Sequence, residues 1–159
     1  MNIKNQIIDN LKSWVEYISI PQEKLNNWSI CPFAKQVKGL EFIIVNELNS
    51  NTIEKNLDII NQNQVTIFTN GTLIPNFNDI DIICKELNKK YKDLIFLPDH
   101  PNNPNFISSL ETGNKHYSLI ISQSKKKLLN SRKILEKNNY YMLWNDNYKK
   151  EIFSYGNDE

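Results

Sequence analysis

Alanine and arginine are almost missing from this chain of 159 residues: each occurs once, as Ala34 and Arg132. Glycine is scarce too, and four residues of it leave no room for a Gly-rich phosphate cradle. Two cysteines, Cys31 and Cys84, are too few for a disulfide framework and fit a reducing compartment. No apolar run approaches the ~18 residues that a membrane span needs. Polar residues interrupt every apolar stretch from Met1 to Asn5 onward, so no signal peptide is expected. An excess of either charge is also lacking: 19 basic and 18 acidic residues leave a net +1. That balance argues against a dedicated nucleic-acid binder and against a polybasic membrane-surface protein. The expectation is a soluble cytoplasmic protein.

Asn, Ile and Lys dominate instead, which is the residue usage of an AT-rich genome. Under that bias Asn runs such as Asn102-Asn103 carry little meaning. Ala34 and Arg132, retained against it, carry more. The length suits one domain with a sizeable core. It divides into a helical N-terminal segment (1–30), a sheet-and-helix core (31–145) and a short tail (146–159).

Apolar periodicity supplies the elements. Ile3, Ile7, Ile8, Leu11, Trp14, Val15 and Ile18 recur at helical spacing and predict an amphipathic helix that Pro21 ends. A short second helix is expected from Gln22 to Trp28. Glu41–Val45 reads as a buried strand, and Asn51 with Glu54 reads as a capping box opening a helix that carries Ile53, Leu57 and Ile60. Val65–Thr69 is a second strand, closed by the turn pair Asn70-Gly71. A helix over 78–91 follows, with Ile80, Ile83, Cys84, Leu87 and Tyr91 on one face, which makes Cys84 a core residue. Asp93–Leu97 is a third strand, followed by a long connection from Pro98 to Lys115. His116–Ser122 is a fourth strand, Ser124 caps a basic helix to about Asn138, and Tyr140–Trp144 is a fifth strand. From Val65 the order is strand, helix, strand, strand, helix, strand. This predicts an α+β fold: a ferredoxin-like split βαβ core extended to a five-stranded mixed sheet, with helices mainly on one face.

Cys31-Pro32-Phe33-Ala34-Lys35 is the most pointed segment. Pro32 favours a first helical position, which sets Cys31 at a helix N-cap where the dipole, with Lys35 and Lys38, favours thiolate. Cys31 is therefore a candidate nucleophile or metal ligand. His100 and His116 are the only histidines and are placed at two strand ends, with Asp99 beside the first. Were the fold to gather them, Cys31, His100 and His116 with Asp99 as orienter could form a nucleophile–base set. The same Cys31, His100 and His116 could hold a transition metal such as zinc or iron.

Trp14-Val15-Glu16 and Cys31-Pro32-Phe33-Ala34-Lys35 together resemble the N-terminus of the uncharacterised bacterial family called DUF1415. Its members carry an amphipathic helix with a Trp-hydrophobic-Glu step, then a link into Cys-Pro-Phe-Ala-Lys. Asp99-His100-Pro101 and His116 are the counterparts this resemblance suggests for the family's His- and Pro-bearing segments. The similarity covers about the first quarter of the chain well and the rest in element order only. It implies a fold and a site at Cys31, and no established activity.

The expected function is a small-molecule enzyme using Cys31, His100, His116 and Asp99. One alternative is a non-catalytic binding module, with a protein or RNA partner held by the basic helix 124–138 and the loop 98–115. In that reading Lys125, Lys126, Lys127, Arg132, Lys133 and Lys137 supply charge, while Tyr140, Tyr141 and Trp144 supply stacking. The other alternative is a metal-binding protein without turnover.

Overall fold

The computed structural model describes residues 2–156. Helix α1, Ile3–Ser19, starts where the Asn2 side chain accepts the Lys4 N–H and ends as Ile20 turns extended before Pro21. Its buried residues, Ile7 and Leu11, lie four apart on one stripe. The expected second helix is only a 3₁₀ turn, Glu23–Leu25. Asn26 and Asn27 both take the left-handed conformation and stop it.

Strand β1, Leu40–Ile44, leads to two short helices, α2 (Ser50–Glu54) and α3 (Leu57–Gln62), rather than one. The cap is Asn49, whose side chain accepts the Thr52 N–H, and not Asn51. Strand β2, Val65–Thr69, is followed by α4, Phe77–Lys90, capped by Asn76, and by β3, Leu94–Asp99. The connection after β3 contains a small hairpin, β4 (Phe106–Ile107) with β5 (Leu110–Glu111). Strand β6, Leu119–Ser124, then leads into α5, Lys125–Lys137, capped by the Ser124 hydroxyl.

The sheet has four strands in the order β1-β2-β6-β3. β1 runs parallel to β2, and β6 is antiparallel to both β2 and β3. β2 and β3 are therefore parallel, joined through α4, with β6 inserted between them. The fifth strand expected at Tyr140–Trp144 is absent. Asn139 turns left-handed at the end of α5, and Tyr140–Leu143 winds into a 3₁₀ turn. Two physical facts override the aromatic strand signal. The free side of β2 is already occupied by β1. The aromatic rings also bury against one another, with Tyr140 fully buried. The tail also departs from expectation, because Asp146–Ser154 forms a helix, α6.

Side chains alternate across the sheet and meet helices on both faces. Phe68, Phe96 and Ile120 pack on Ile53, Ile60, Ile80, Cys84 and Leu87 from α2, α3 and α4. Ile67 and Leu119 pack on Ile7 and Leu11 from α1. Helices mainly on one face, the sequence expectation, is thus corrected. Helix α1 is tied to the segment after β4 by three side chains. Trp14 Nε1 donates to Thr112 O at 3.1 Å, Tyr17 Oη to Glu111 O at 3.3 Å, and Asn10 Nδ2 to Tyr117 Oη at 2.7 Å. At the β3 edge, Asn88 of α4 takes the place of a neighbouring strand: its Nδ2 donates to Phe96 O at 2.9 Å and its Oδ1 accepts the Phe96 N–H at 2.8 Å. Among the described residues no helix is long and apolar enough to cross a membrane.

Candidate functional site

Helix α1 covers only part of its sheet face. Over the rest, Val65, Ile67, Leu97 and Ile121 look into a cavity of about 270 Å³. Trp14, Val15 and Ile18 of α1 form one wall, and Cys31, Pro32, Phe33 and Ala34 form the next. Leu128, Ser131, Arg132 and Leu135 of α5 close a third side, with Tyr140, Tyr141, Trp144 and Tyr148 completing it. A concave, mostly apolar space with a few inward polar groups is the usual form of a small-molecule site.

Cys31 is held at this wall from both sides. Its own N–H donates to Ile18 O at 2.7 Å, and the Tyr140 hydroxyl donates to the carbonyls of Ser29 and Ile30 just before it. Pro32 does not open a long helix here. Only a three-residue 3₁₀ turn, Ala34–Gln36, follows, so the macrodipole invoked from the sequence has no helix to generate it. As a residue Cys31 is exposed, and it lines the cavity, while the protein around its sulfur keeps water partly away. Burial pushes its pKa up, and the backbone N–H groups of Phe33 and Ala34 pull the other way without reversing the shift. The direction of this shift runs against the thiolate expected at a helix N-cap. Cys84 is buried in the opposite core, with its pKa raised still further by burial and by Asp81.

The two histidines do not join it. His100 is 2% exposed, and its Nε2 faces Ile74 O while its Nδ1 accepts the Asn102 N–H at 3.0 Å. A carbonyl can only accept, so Nε2 carries the proton and both ring nitrogens are committed to backbone. No lone pair remains for a base or a metal ligand. His116 is exposed and precedes β6, which starts at Leu119 rather than at the histidine. Among the described residues no group of three His, Cys, Asp or Glu side chains is placed to hold a metal. The zinc or iron set of Cys31, His100 and His116 is therefore not assembled.

Asp99 does reach the cavity, because adjacent residues of a strand point to opposite faces and His100 takes the other one. It does not orient His100. Its Oδ2 accepts from the Asn114 backbone N–H at 2.9 Å and from Asn114 Nδ2 at 2.7 Å. Burial raises its pKa, which these bonds and the nearby His100 oppose. Gly113 is needed beside it, since a Cβ there would lie 2.5 Å from Asp99 Oδ1. Tyr148 lies within electrostatic reach of both Asp99 and Cys31, and burial raises its pKa to about 12.

Sequence reading offered Tyr140, Tyr141 and Trp144 as a stacking strand and missed their place, with Tyr148, at the cavity wall. Tyr140, Tyr141, Trp144, Tyr148 and Phe153 form one connected set of rings, with Trp144 stacked on Tyr148 at 4.6 Å. Their clustering between 140 and 153 was the available signal, and it was read as strand and tail. Tyr140 and Tyr141 are buried and Trp144 partly so, and none of the three lies on a strand that could offer a sheet face to bases. No family model, no curated protein and no solved structure matches the chain.

Proposed function

We propose that this protein binds a small, largely apolar molecule in the cavity and acts on it through Cys31. The observation that carries this reading is the position of Cys31, an exposed residue that lines an apolar, aromatic-walled cavity. Of the segment that resembles DUF1415, Cys31, Pro32, Phe33 and Ala34 form part of that wall. Asp99 is the one carboxyl group among the residues lining the cavity. Its raised pKa makes it a better proton acceptor than an ordinary aspartate.

A second reading is binding without turnover. It draws on the committed nitrogens of His100, the exposed position of His116 and the raised pKa of Cys31. In both readings the ligand site is the same.

Reagent selectivity tests the proposal. Phenyl vinyl sulfone and methyl vinyl sulfone are reacted with native C84A protein and with the same chain in denaturant. The cavity should favour the phenyl reagent at Cys31 in the native protein by about tenfold over the denatured chain, the value of roughly 1.4 kcal/mol of apolar burial. Identical reagent ratios in the two states would count against it.

A further inference from the structure

Arg132 is the only arginine of the chain, and it stands on the inner side of α5 at the cavity wall. Its guanidinium carbon lies 4.4 Å from the centroid of the Phe153 ring, so the plane is packed against an aromatic surface. Such stacking fixes the plane while leaving the edge N–H groups free to bond. Among the described residues no carboxylate pairs with it. Glu136, one helical turn on, faces Lys149 instead at 4.0 Å and is mostly exposed. Asp99 is committed to Asn114. A half-buried guanidinium without an acceptor is costly unless something supplies one. Two further donors or potential donors line the same space: the Ser131 hydroxyl and the Trp144 indole N–H. The indole N–H is buried without a hydrogen-bond partner.

Resting on the cavity as the ligand site, we infer that Arg132 selects a monocarboxylate: the ligand is an apolar or aromatic body carrying one carboxylate that the guanidinium receives through two N–H groups. The apolar part then lies along Val65, Ile67 and Ile121. Charge decides between classes of anion. Arg132 is one partly buried positive charge, and Lys127, also at the wall, is exposed and solvated. One carboxylate is neutralised by that charge, whereas a dianionic phosphate would carry an uncompensated charge into the cavity.

The test uses the native protein and four probes of one skeleton: 4-phenylbutyrate, 4-phenylbutanamide, 4-phenylbutylamine and 4-phenylbutyl phosphate. Amide resonances of Val65, Ile121 and Cys31 report occupancy by titration NMR. Phenylbutyrate should bind more tightly than the amide by about 10–100-fold, the usual range for a charge-assisted pair. The amine should bind more weakly still. R132Q should abolish the preference, bringing carboxylate and amide to similar affinity, and R132K should restore part of it. Because the probe comparison is made on the unaltered protein, the inference can be decided even should R132Q fold poorly. Equal binding of carboxylate and amide, with shifts at the three cavity residues, would overturn the inference and leave the cavity site standing. Tighter binding of the phosphate would overturn the choice of monocarboxylate. No shift at the three residues with any probe would overturn both this inference and the cavity reading beneath it.

Discussion

Asn114 holds Asp99 through two hydrogen bonds to a single carboxylate oxygen, and it fixes the following turn with the rest of its side chain. Its Nδ2 also donates to Tyr117 O, and its Oδ1 accepts the N–H groups of His116 and Tyr117. One buried amide thus sets both the orientation of the cavity carboxyl and the entry into β6. N114A removes every side-chain bond in this set, and the half-buried carboxyl loses one of its two donors. The expected cost is about 2–4 kcal/mol, measured by urea unfolding. Wild-type stability in N114A would mean that the network contributes nothing.

Asp99 also gives a signed pH dependence. The fold raises its pKa and so favours its neutral form. Its contribution to stability is therefore greatest below the ordinary aspartate range of about 4 and declines as pH rises toward the higher folded value. The stability difference between wild type and D99N should fall over that interval and be flat on either side. A difference that rises with pH would contradict the assigned direction.

Gly113 is a steric companion of that carboxyl. A Cβ at this position would lie 2.5 Å from Asp99 Oδ1, too close without displacement. G113A is expected to cost about 1–3 kcal/mol through the shift it forces. The same change combined with D99S, whose shorter side chain relieves the contact, should cost less than the sum of the two single changes. Strict additivity in that double-mutant cycle would rule out the clash as the cause.

The histidines should separate sharply. H100A removes a buried ring and leaves Ile74 O and the Asn102 N–H, at part-buried sites, without their partner, at about 1–3 kcal/mol. H116A changes an exposed ring and should stay within about 0.5 kcal/mol of wild type. Neither should alter the labelling rate of Cys31 in folded protein by more than about twofold. A large drop in H116A would restore that histidine to the site.

Cys31 itself should titrate late. Burial raises its thiol pKa, so the rate of reaction with a neutral alkylating agent should reach half its maximum above the ordinary thiol range of about 8.5. The denatured chain should titrate within that range. Cys84, in the core between α4 and the sheet, should react more slowly than Cys31 at every pH. A Cys31 profile centred below the denatured one would show that the Phe33 and Ala34 N–H groups outweigh burial.

Elements with a strong local pattern were readable from the residues. The stripe of Ile7 and Leu11 requires one buried surface and the short run Val65–Thr69 is covered on both faces, and each found its partners. Failures came where long-range contact decides. Tyr140 to Trp144 has strand composition, but no open edge of β2 awaited it, and the rings had each other. His100 looked available because a strand end is often a site. Its two ring bonds go to Ile74 and Asn102, one of them 26 residues away, which no local spacing discloses. Cys31 and Asp99 were singled out from the residues and both line the cavity, while the direction of their pKa shifts is set by burial, which depends on the whole fold. Arg132 was visible as a residue that composition should have removed and as one charge of the basic helix, not as part of a cavity wall.

The ties between α1 and the segment after β4 have a temporal consequence. Trp14 finds its acceptor 98 residues later in the chain, and Asn10 finds its own 107 residues later. At translation rates of about 5–20 residues per second, the first helix emerges roughly 5–20 s before its docking partners exist. During that wait Ile7, Leu11 and Trp14 have no completed sheet to cover. The N-terminal helix is thus first to be synthesised and among the last to be secured, and the cavity it walls can form only after most of the chain has left the ribosome.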